Sequence, residues 1–290
     1  MLDGFICALK PPGMTSHDMV SFIRKVYGIK KVGHAGTLDP GAAGILPIAL
    51  GKATRMIEYM TDADKSYRAE LTFGFSTDSG DDTGTILTQE NFTMPSLRQI
   101  NETFQQLIGE NIQIPPIYSA IKINGTRACD LARKNIEVEI PSRTVHIHNM
   151  ELLEVEEPKL LFDVDCSKGT YIRTLCIDIG KKLNIPAVMS FLVRTRVGCF
   201  SLANAYTLDE IKNNPQQAIQ PIDSVLVHMP AVELTKAQIS FFQQGQKITE
   251  KQPINSSSLV RIYDKELGFI GIARYQAETA CIVPVKVVFR

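Results

Sequence analysis

Hydrophobic and polar positions follow regular periods in several parts of the chain. Residues 65–73 alternate strictly, with Tyr67, Ala69, Leu71 and Phe73 on one side and Arg68, Glu70 and Thr72 on the other. This period of two predicts a half-buried strand. Apolar runs bounded by turn residues predict further strands at residues 5–9, 117–123, 143–155 and 160–166.

Three segments carry the longer period of a helix. Thr15 followed by Asp18 forms a capping box, and Gly28 ends the apolar face that begins after it. A second helix is predicted over residues 96–109 and a third over residues 170–183. The inward positions are Met19, Val20, Ile23, Val26 and Tyr27 in the first helix, Leu97, Ile100, Phe104, Leu107 and Ile108 in the second, and Ile172, Leu175, Cys176 and Ile179 in the third.

Other stretches set the organisation of the chain. Residues 33–51 are rich in Gly, Ala and Pro and show little regular pattern, which predicts a long functional loop. Asn124-Gly125 is a hairpin signal that a helix can follow directly. Strands and helices mix without strict βαβ alternation, so the predicted fold class is α+β.

The last sixty residues have a separate pattern. Residues 221–230 are a plausible connector, followed by a short helix at 234–242 and strands at 259–263, 269–275 and 280–289. We therefore predict a large domain over residues 1–225 and a small, mostly β domain over residues 231–290.

Composition excludes several classes of protein. The 290 residues include no run of about 18 apolar residues. The N-terminal segment lacks the pattern of a signal peptide, so a cytoplasmic location is expected. Six scattered cysteines form no Cys-x-x-Cys pair and no zinc spacing, which predicts reduced thiols and no metal site.

The charge balance gives no simple sign of a nucleic-acid partner. Lys and Arg total 31, as do Asp and Glu, so the formal net charge is zero. Phosphate binding depends on where the charge lies, and basic residues recur beside the motifs described next. A local basic face on a neutral protein is therefore expected.

The most informative segment is residues 33–47, which read Gly-His-Ala-Gly-Thr-Leu-Asp-Pro-Gly-Ala-Ala-Gly-Ile-Leu-Pro. Proline holds the preceding Asp39 away from helical geometry, and flanking glycines let the backbone approach a ligand. One carboxylate on such a loop suits a nucleophile for a bulky substrate. Taken alone, Asp39 could equally cap a turn, because turns are where Asp and Pro usually occur.

Four further motifs accompany that loop in order. They are Lys10-Pro11 with Gly13, Thr15 and Ser16; Lys65-x-Tyr67; Pro-Pro-x-Tyr-Ser-Ala-x-Lys at 115–122; and Ser-x-Gly-Thr-Tyr-Ile-Arg at 167–173. Together with the Asp39 loop, these motifs resemble the TruB family of tRNA pseudouridine synthases in order and spacing, over residues 5–200. One departure is Cys129, which stands where that family usually has tyrosine.

The resemblance implies a role for each matching residue. Asp39 matches the nucleophile, Tyr67 the ring that stacks on the flipped uracil, and Arg173 the partner of the aspartate. Leu192 matches a wall of the pocket and His34 a residue that holds the target nucleotide. Lys10 and Pro11 match the floor of the site. Tyr171, Lys65 and Lys122, in the same motifs, are further substrate-binding candidates.

The same resemblance implies a reaction and its partners. The expected activity is isomerisation of uridine 55 in the T-loop of tRNA, with no metal, flavin or nucleotide cofactor and no obligate protein partner. A central antiparallel sheet and a C-terminal PUA-like RNA-binding domain are also implied. The residues leave open whether Asp39 attacks the ribose or the uracil, and which group takes the proton from carbon 5.

Three other interpretations remain. An RNA-binding factor without catalysis is opposed by the intact Asp39, Tyr67 and Arg173. A dyskerin-type, guide-RNA-dependent enzyme is opposed by the absence of lysine-rich tails. A glycoside hydrolase needs two carboxylates, and only Asp39 lies in a strong motif. The acidic stretch 78–82 lacks calcium-loop spacing and is interpreted as a solvated loop.

Overall fold

The computed structural model describes residues 2–119, 121–123, 125–134, 136, 138–249 and 259–289. The strands are β1 Gly4–Lys10, β2 Val32–His34, β3 Ala43–Leu50, β4 Lys65–Phe73, β5 Phe75–Thr77, β6 Ile86–Gln89, β7 Gly109–Gln113, β8 Lys122–Ile123, β9 Thr126–Arg127, β10 Arg143–Glu156, β11 Lys159–Cys166, β12 Ala187–Val197, β13 Phe200–Ser201, β14 Ala231–Glu233, β15 Ile248–Thr249, β16 Leu259–Asp264, β17 Gly268–Gln276 and β18 Cys281–Val287. The α-helices are α1 Ser16–Tyr27, α2 Ile57–Thr61, α3 Leu97–Leu107, α4 Ala128–Ala132, α5 Ile172–Leu183, α6 Leu208–Asn213 and α7 Lys236–Gln243.

A large mixed sheet forms the centre of the molecule. Its strand order is β1-β3-β12-β4-β11-β10-β7, with β2 added to β3 and β13 added to β12. The pairings are antiparallel except for β3 with β12, which run parallel. The predicted α+β class is confirmed, and the predicted antiparallel sheet is correct apart from that one pairing.

Two well-signed segments form as the sequence predicts. In β4, Tyr67, Ala69, Leu71 and Phe73 are buried and pack under α3 and α5. Helix α1 begins at a capping box between Thr15 and Asp18 and ends at Gly28, which has a left-handed φ of 64°. Local chemistry and burial agree in both elements, so their boundaries were predictable.

The prediction of a loop over residues 33–51 is wrong over much of that segment. Strands β2 and β3 occupy it, and β3 is almost continuously buried between β1 and β12. A strand covered on both faces needs no alternation of polar and apolar residues. Gly44, with φ of 115°, lets β3 approach β12, because an added Cβ would lie 2.2 Å from the Arg194 carbonyl oxygen.

Smaller differences from the prediction concern a shorter strand, an additional strand and one exposed residue. The strand predicted over 117–123 is limited to Lys122–Ile123, although the hairpin to β9 and the following α4 are present. Asn124 of the predicted turn lies outside the described residues. Strand β12 was not predicted, and Leu97 is exposed rather than inward.

The C-terminal segment forms a second sheet of order β14-β16-β17-β18-β15. This sheet shares an apolar core with the first one, because Phe269, Ile272 and Val288 cluster with Phe5 and Leu226. Arg55 also donates to the Val287 carbonyl at 2.6 Å. Deleting the segment would therefore expose part of the core of the larger sheet. None of the described helices has the length and apolar character needed to cross a membrane.

Candidate active site

Asp39 lies in the loop between β2 and β3, which the segment around the start of α1 holds in place. The Ser16 hydroxyl accepts from the Leu38 amide at 2.9 Å and donates to the Leu38 carbonyl at 3.2 Å. On the other side of Asp39, the Pro40 carbonyl accepts from the Gly13 amide at 2.9 Å and from Lys10 Nζ at 3.1 Å. Both neighbours of Asp39 are thus fixed while its own side chain stays 40% exposed.

Arg173 meets Asp39 from the second residue of α5. Its Nε lies 3.0 Å from Asp39 Oδ2, and its Nη2 lies 3.4 Å from Oδ1. The same guanidinium donates to the carbonyls of Ser79 at 2.9 Å and Tyr118 at 2.8 Å. Only 4% of the Arg173 side chain is exposed, so its guanidinium is held in one orientation, with two nitrogens facing the two carboxylate oxygens.

The surroundings of Asp39 act on its ionisation in both directions. Burial raises the pKa of Asp39 above its ordinary value, and the nearby Asp81 adds to this. Arg173 and Lys10 oppose the shift without reversing it. Arg173 therefore stabilises the carboxylate, although the pKa of Asp39 remains raised.

The acidic stretch 78–82 is a loop with Asp78 and Asp82 exposed, in agreement with its interpretation as a solvated loop, but its middle residues also contact the site. The Ser79 carbonyl receives Arg173, and Gly80 is buried against α5. Asp81 accepts from the hydroxyls of Ser79 at 2.7 Å and Thr83 at 2.6 Å. Hydrogen bonds from Thr83 and Ser79, together with Arg173, lower the pKa of Asp81 against the effect of burial. The contribution of Ser79 and Asp81 to the site was not predicted, because it depends on hydrogen bonds formed within the folded loop.

Tyr67 and Leu192 lie on neighbouring strands beside the Asp39 loop. Tyr67 of β4 is only 7% exposed and packs in the same apolar cluster as Leu38 and Leu192. Leu192 of β12 is paired with Ala69 of β4. Burial raises the pKa of the Tyr67 hydroxyl to about 12, and the charge of Asp39 contributes in the same direction. The ring therefore lines the interior edge of the site.

His34 and Tyr171 occupy the edges of the same region. His34 of β2 has a buried Nδ1 with no hydrogen-bond partner among the described residues, and burial lowers the pKa of its imidazole. Tyr171 immediately precedes α5, with its backbone amide and carbonyl bound to the Gln113 side chain. Its ring lies 5.5 Å from the Arg143 guanidinium.

The three lysines predicted to bind substrate differ in position. Lys10 is fully buried and donates to the carbonyls of Pro11, Met14 and Pro40. Lys65 is also buried and donates to the carbonyls of Thr61 and Ala63. Burial lowers the pKa of each of these two lysines to about 8. Lys122 alone is exposed, on β8.

Arg194 was not among the predicted site residues. This β12 residue is 1% exposed, and its Nε donates to the Ile45 carbonyl at 2.8 Å. Its Nη1 and Nη2 donate to the carbonyls of Thr37 at 3.3 Å and Gly36 at 3.0 Å. A signal was present in the sequence, because Arg194 follows Leu192 in a run rich in apolar residues, where a charged side chain is unusual.

The arrangement offers one accessible carboxylate beside a fixed guanidinium. Within the described ranges, no group of three or more His, Cys, Asp or Glu residues could hold a metal ion. All six cysteines are free thiols, as predicted. Chemically, the site can present a carboxylate nucleophile to a substrate that approaches from the exposed side of Asp39.

Comparison with known sequences places the whole chain in one family. Residues 24–172 match the TruB family pseudouridylate synthase N-terminal domain. Residues 173–227 match the tRNA pseudouridylate synthase B C-terminal domain, and residues 230–288 match the pseudouridine synthase II TruB C-terminal region. Similar proteins include tRNA pseudouridine synthase B of Caldanaerobacter subterraneus subsp. tengcongensis, 48% identical over 96% of each chain, and that of Alkaliphilus oremlandii, 45% identical over 94% of each.

Solved structures agree on the fold. A Cbf5–Nop10–Gar1 complex contains a chain of 28% identity that superposes with a TM-score of 0.76, covering 99% of this chain and 85% of the other. An H/ACA RNP bound to a substrate RNA containing 2′-deoxyuridine gives a TM-score of 0.76 at 26% identity, with the same coverage. The fold is that of the pseudouridine synthases, and the chain belongs to the TruB family of these isomerases.

Proposed function

We propose that this protein isomerises uridine 55 in the T-loop of tRNA to pseudouridine, with Asp39 as the nucleophile. The observation that carries the proposal is the contact between Arg173 and Asp39, at 3.0 Å and 3.4 Å, on a carboxylate that stays 40% exposed. The arginine stabilises the anion, and the exposed side leaves room for a nucleoside. The tRNA substrate is supported by the names of the similar bacterial proteins.

The proposed chemistry exchanges one bond for another within a single nucleoside. The glycosidic C–N bond breaks and a C–C bond forms, so the reaction is redox-neutral and needs no cofactor. The target base must leave its stack before Asp39 can reach it, at a cost of a few kcal/mol. Stacking on an aromatic ring recovers roughly 1–3 kcal/mol, and the Tyr67 ring lies in the apolar cluster that includes Leu38 and Ala42 of the Asp39 loop.

The remaining residues are proposed to shape the pocket and bind the RNA. Leu192 forms a wall beside Tyr67, and His34 at the end of β2 helps to hold the target nucleotide. Tyr171 is placed to contact substrate at the start of α5. Lys122 is exposed and suited to phosphate, whereas Lys10 and Lys65 act from inside by fixing backbone carbonyls.

The chain is proposed to divide into a catalytic domain over residues 1–225 and a PUA-like RNA-binding domain over residues 231–290. Two findings support this division. The second sheet starts at Ala231, and two family matches meet between residues 227 and 230. The apolar core shared by the two sheets makes the second domain a support for the first as well.

We propose that the enzyme works without a guide RNA or an obligate protein partner, in the cytoplasm. The similar solved chains come from complexes with other components. The similar bacterial proteins, by contrast, match over 96% and 94% of their own length and are named as tRNA enzymes. Those names support the stand-alone type.

The test is direct site mapping. Unmodified tRNA transcript is incubated with the purified protein alone, and pseudouridine is mapped at single-nucleotide resolution. We expect one modified position, uridine 55, without added protein or guide RNA. Modification elsewhere would contradict the target assignment. A requirement for a partner would contradict the stand-alone proposal.

A further inference from the structure

Arg194 is a buried cation without a carboxylate partner among the described residues. Among the described residues, it has the largest fully buried side chain. Its guanidinium donates to the carbonyls of Gly36, Thr37 and Ile45, and the residue is opposite Tyr67 on the neighbouring strand. Burying a charge costs free energy unless its hydrogen bonds are satisfied. A cation held in this way therefore fixes the geometry of whatever it binds.

The carbonyls that bind Arg194 belong to the segment that carries Asp39. Gly36 and Thr37 precede Asp39 by three and two residues, and Ile45 lies in the strand that follows the loop. Arg194 thus forms hydrogen bonds on both sides of Asp39 along the chain, before it at Gly36 and Thr37 and after it at Ile45. Gly36 has a φ of 88°, and a Cβ added there would lie 3.5 Å from Arg194 Nη1. The loop therefore lies directly on the guanidinium.

The other partner of Arg194 is Tyr67, the proposed stacking residue. The two residues are register partners on β12 and β4, and directly opposed side chains on neighbouring strands interact. The charge of Arg194 acts to lower the pKa of the Tyr67 phenol, against the larger effect of burial. One side chain therefore contacts both elements that would face the target nucleoside.

We propose that Arg194 is a positioning residue, whose guanidinium aligns the Tyr67 hydroxyl with the loop that carries Asp39. This inference rests on the proposed function, because alignment matters only if both residues act on one nucleoside. Misplacement by about 1 Å can slow an oriented reaction by about 100-fold. Loss of the guanidinium fork should then lower turnover without a comparable loss of RNA affinity.

A double-mutant cycle separates this role from simple structural support. Arg194→Lys keeps the charge but loses the planar guanidinium that binds the three carbonyls together. Arg194→Lys and Tyr67→Phe should each lower single-turnover kcat by about tenfold or more, with little change in KM. Because both act through one contact, the double variant should lie within about threefold of the slower single variant. Arg196→Lys, on the same strand but bound to Ser66 and Asp165, is the matched control and should keep its kcat.

A second measurement does not depend on activity or on the folding of the Arg194 variant. Tyr67→Phe removes one oxygen atom, so it should shift the side-chain NMR resonances of Arg194. Tyr275→Phe, at a buried tyrosine of the second sheet, should leave them unchanged. Unshifted Arg194 resonances in Tyr67→Phe, or losses that multiply in the cycle, would overturn the proposal. An inactive wild-type protein would instead count against the proposed function.

Discussion

Nζ of Lys10 lies 3.1 Å from the carbonyl oxygen of Pro40, the residue that follows Asp39. The same ammonium donates to the Pro11 carbonyl at 2.8 Å and the Met14 carbonyl at 2.6 Å. A fully buried lysine thereby ties the end of β1 and the segment before α1 to the Asp39 loop. The site floor is held by one charged group in an apolar setting, which has a consequence for the pH dependence of stability.

Lys10→Met tests this arrangement through the free energy of unfolding. Burial lowers the pKa of Lys10 from 10.5 to about 8 in the folded protein. Between these values the unfolded chain binds more protons, so the cost of burying the charged ammonium is relieved and the fold becomes more stable as pH rises from about 8 to 10.5. The difference corresponds to at most about 3 kcal/mol.

We expect the unfolding free energy of the wild type to rise relative to Lys10→Met across that pH window, as measured by urea denaturation. Lys25→Met, at an exposed position in α1, is the control and should follow the wild type. Parallel pH curves for wild type and Lys10→Met would contradict a buried, charged Lys10.

Replacements of Tyr67 separate its ring from its hydroxyl. Tyr67→Phe keeps the ring and should bind T-arm RNA with nearly wild-type affinity. Tyr67→Leu loses the ring and should bind more weakly by roughly 1–3 kcal/mol, the value of one stack. Because Tyr67 is buried, thermal unfolding of both variants must be measured beside RNA binding. Equal affinity of two folded variants would show that Tyr67 is only a core residue.

Asp81→Asn should move the acid limb of the kcat/KM profile to lower pH. Asp39 must be ionised to attack, and burial followed by the charge of Asp81 raises its pKa. Removing that negative charge lowers the pKa of Asp39, so activity persists further into acid. Asp82→Asn, at an exposed neighbouring carboxyl, is the control and should leave the limb in place. A limb that moves to higher pH in Asp81→Asn would contradict this electrostatic account.

Sequence reasoning succeeded where local pattern and burial agree, and failed where long-range contacts decide. β4 alternates because one face is buried, and α1 carries its own caps, so both were predictable. β3 lies inside the sheet and shows no alternation. The pairing of Asp39 with Arg173, 134 residues apart, came from the family resemblance. The roles of Asp81 and Arg194 depend on neighbours brought together only by the fold.

Recognition of the RNA should depend on charge and shape together. Formal net charge is zero, so we expect binding to come from a local basic face and to weaken steeply with added salt as counterions are released. Structured RNA is read largely by shape. A T-arm stem-loop should therefore react much faster than an unstructured strand carrying the same target uridine, as measured by single-turnover kinetics. Equal rates would contradict recognition of the loop.

The central claim is that Asp39 is the nucleophile, and Asp39→Asn tests it most directly. The amide keeps the size of the side chain but cannot attack, so RNA affinity and thermal unfolding should match the wild type while turnover is lost. Asp209→Asn, at an exposed carboxyl of α6, should remain fully active. Pseudouridine is quantified in T-arm RNA under single-turnover conditions, with intact mass spectrometry excluding deamidation of the introduced amide back to a carboxylate. The account predicts no pseudouridine from Asp39→Asn, and clear product formation by that variant would contradict it.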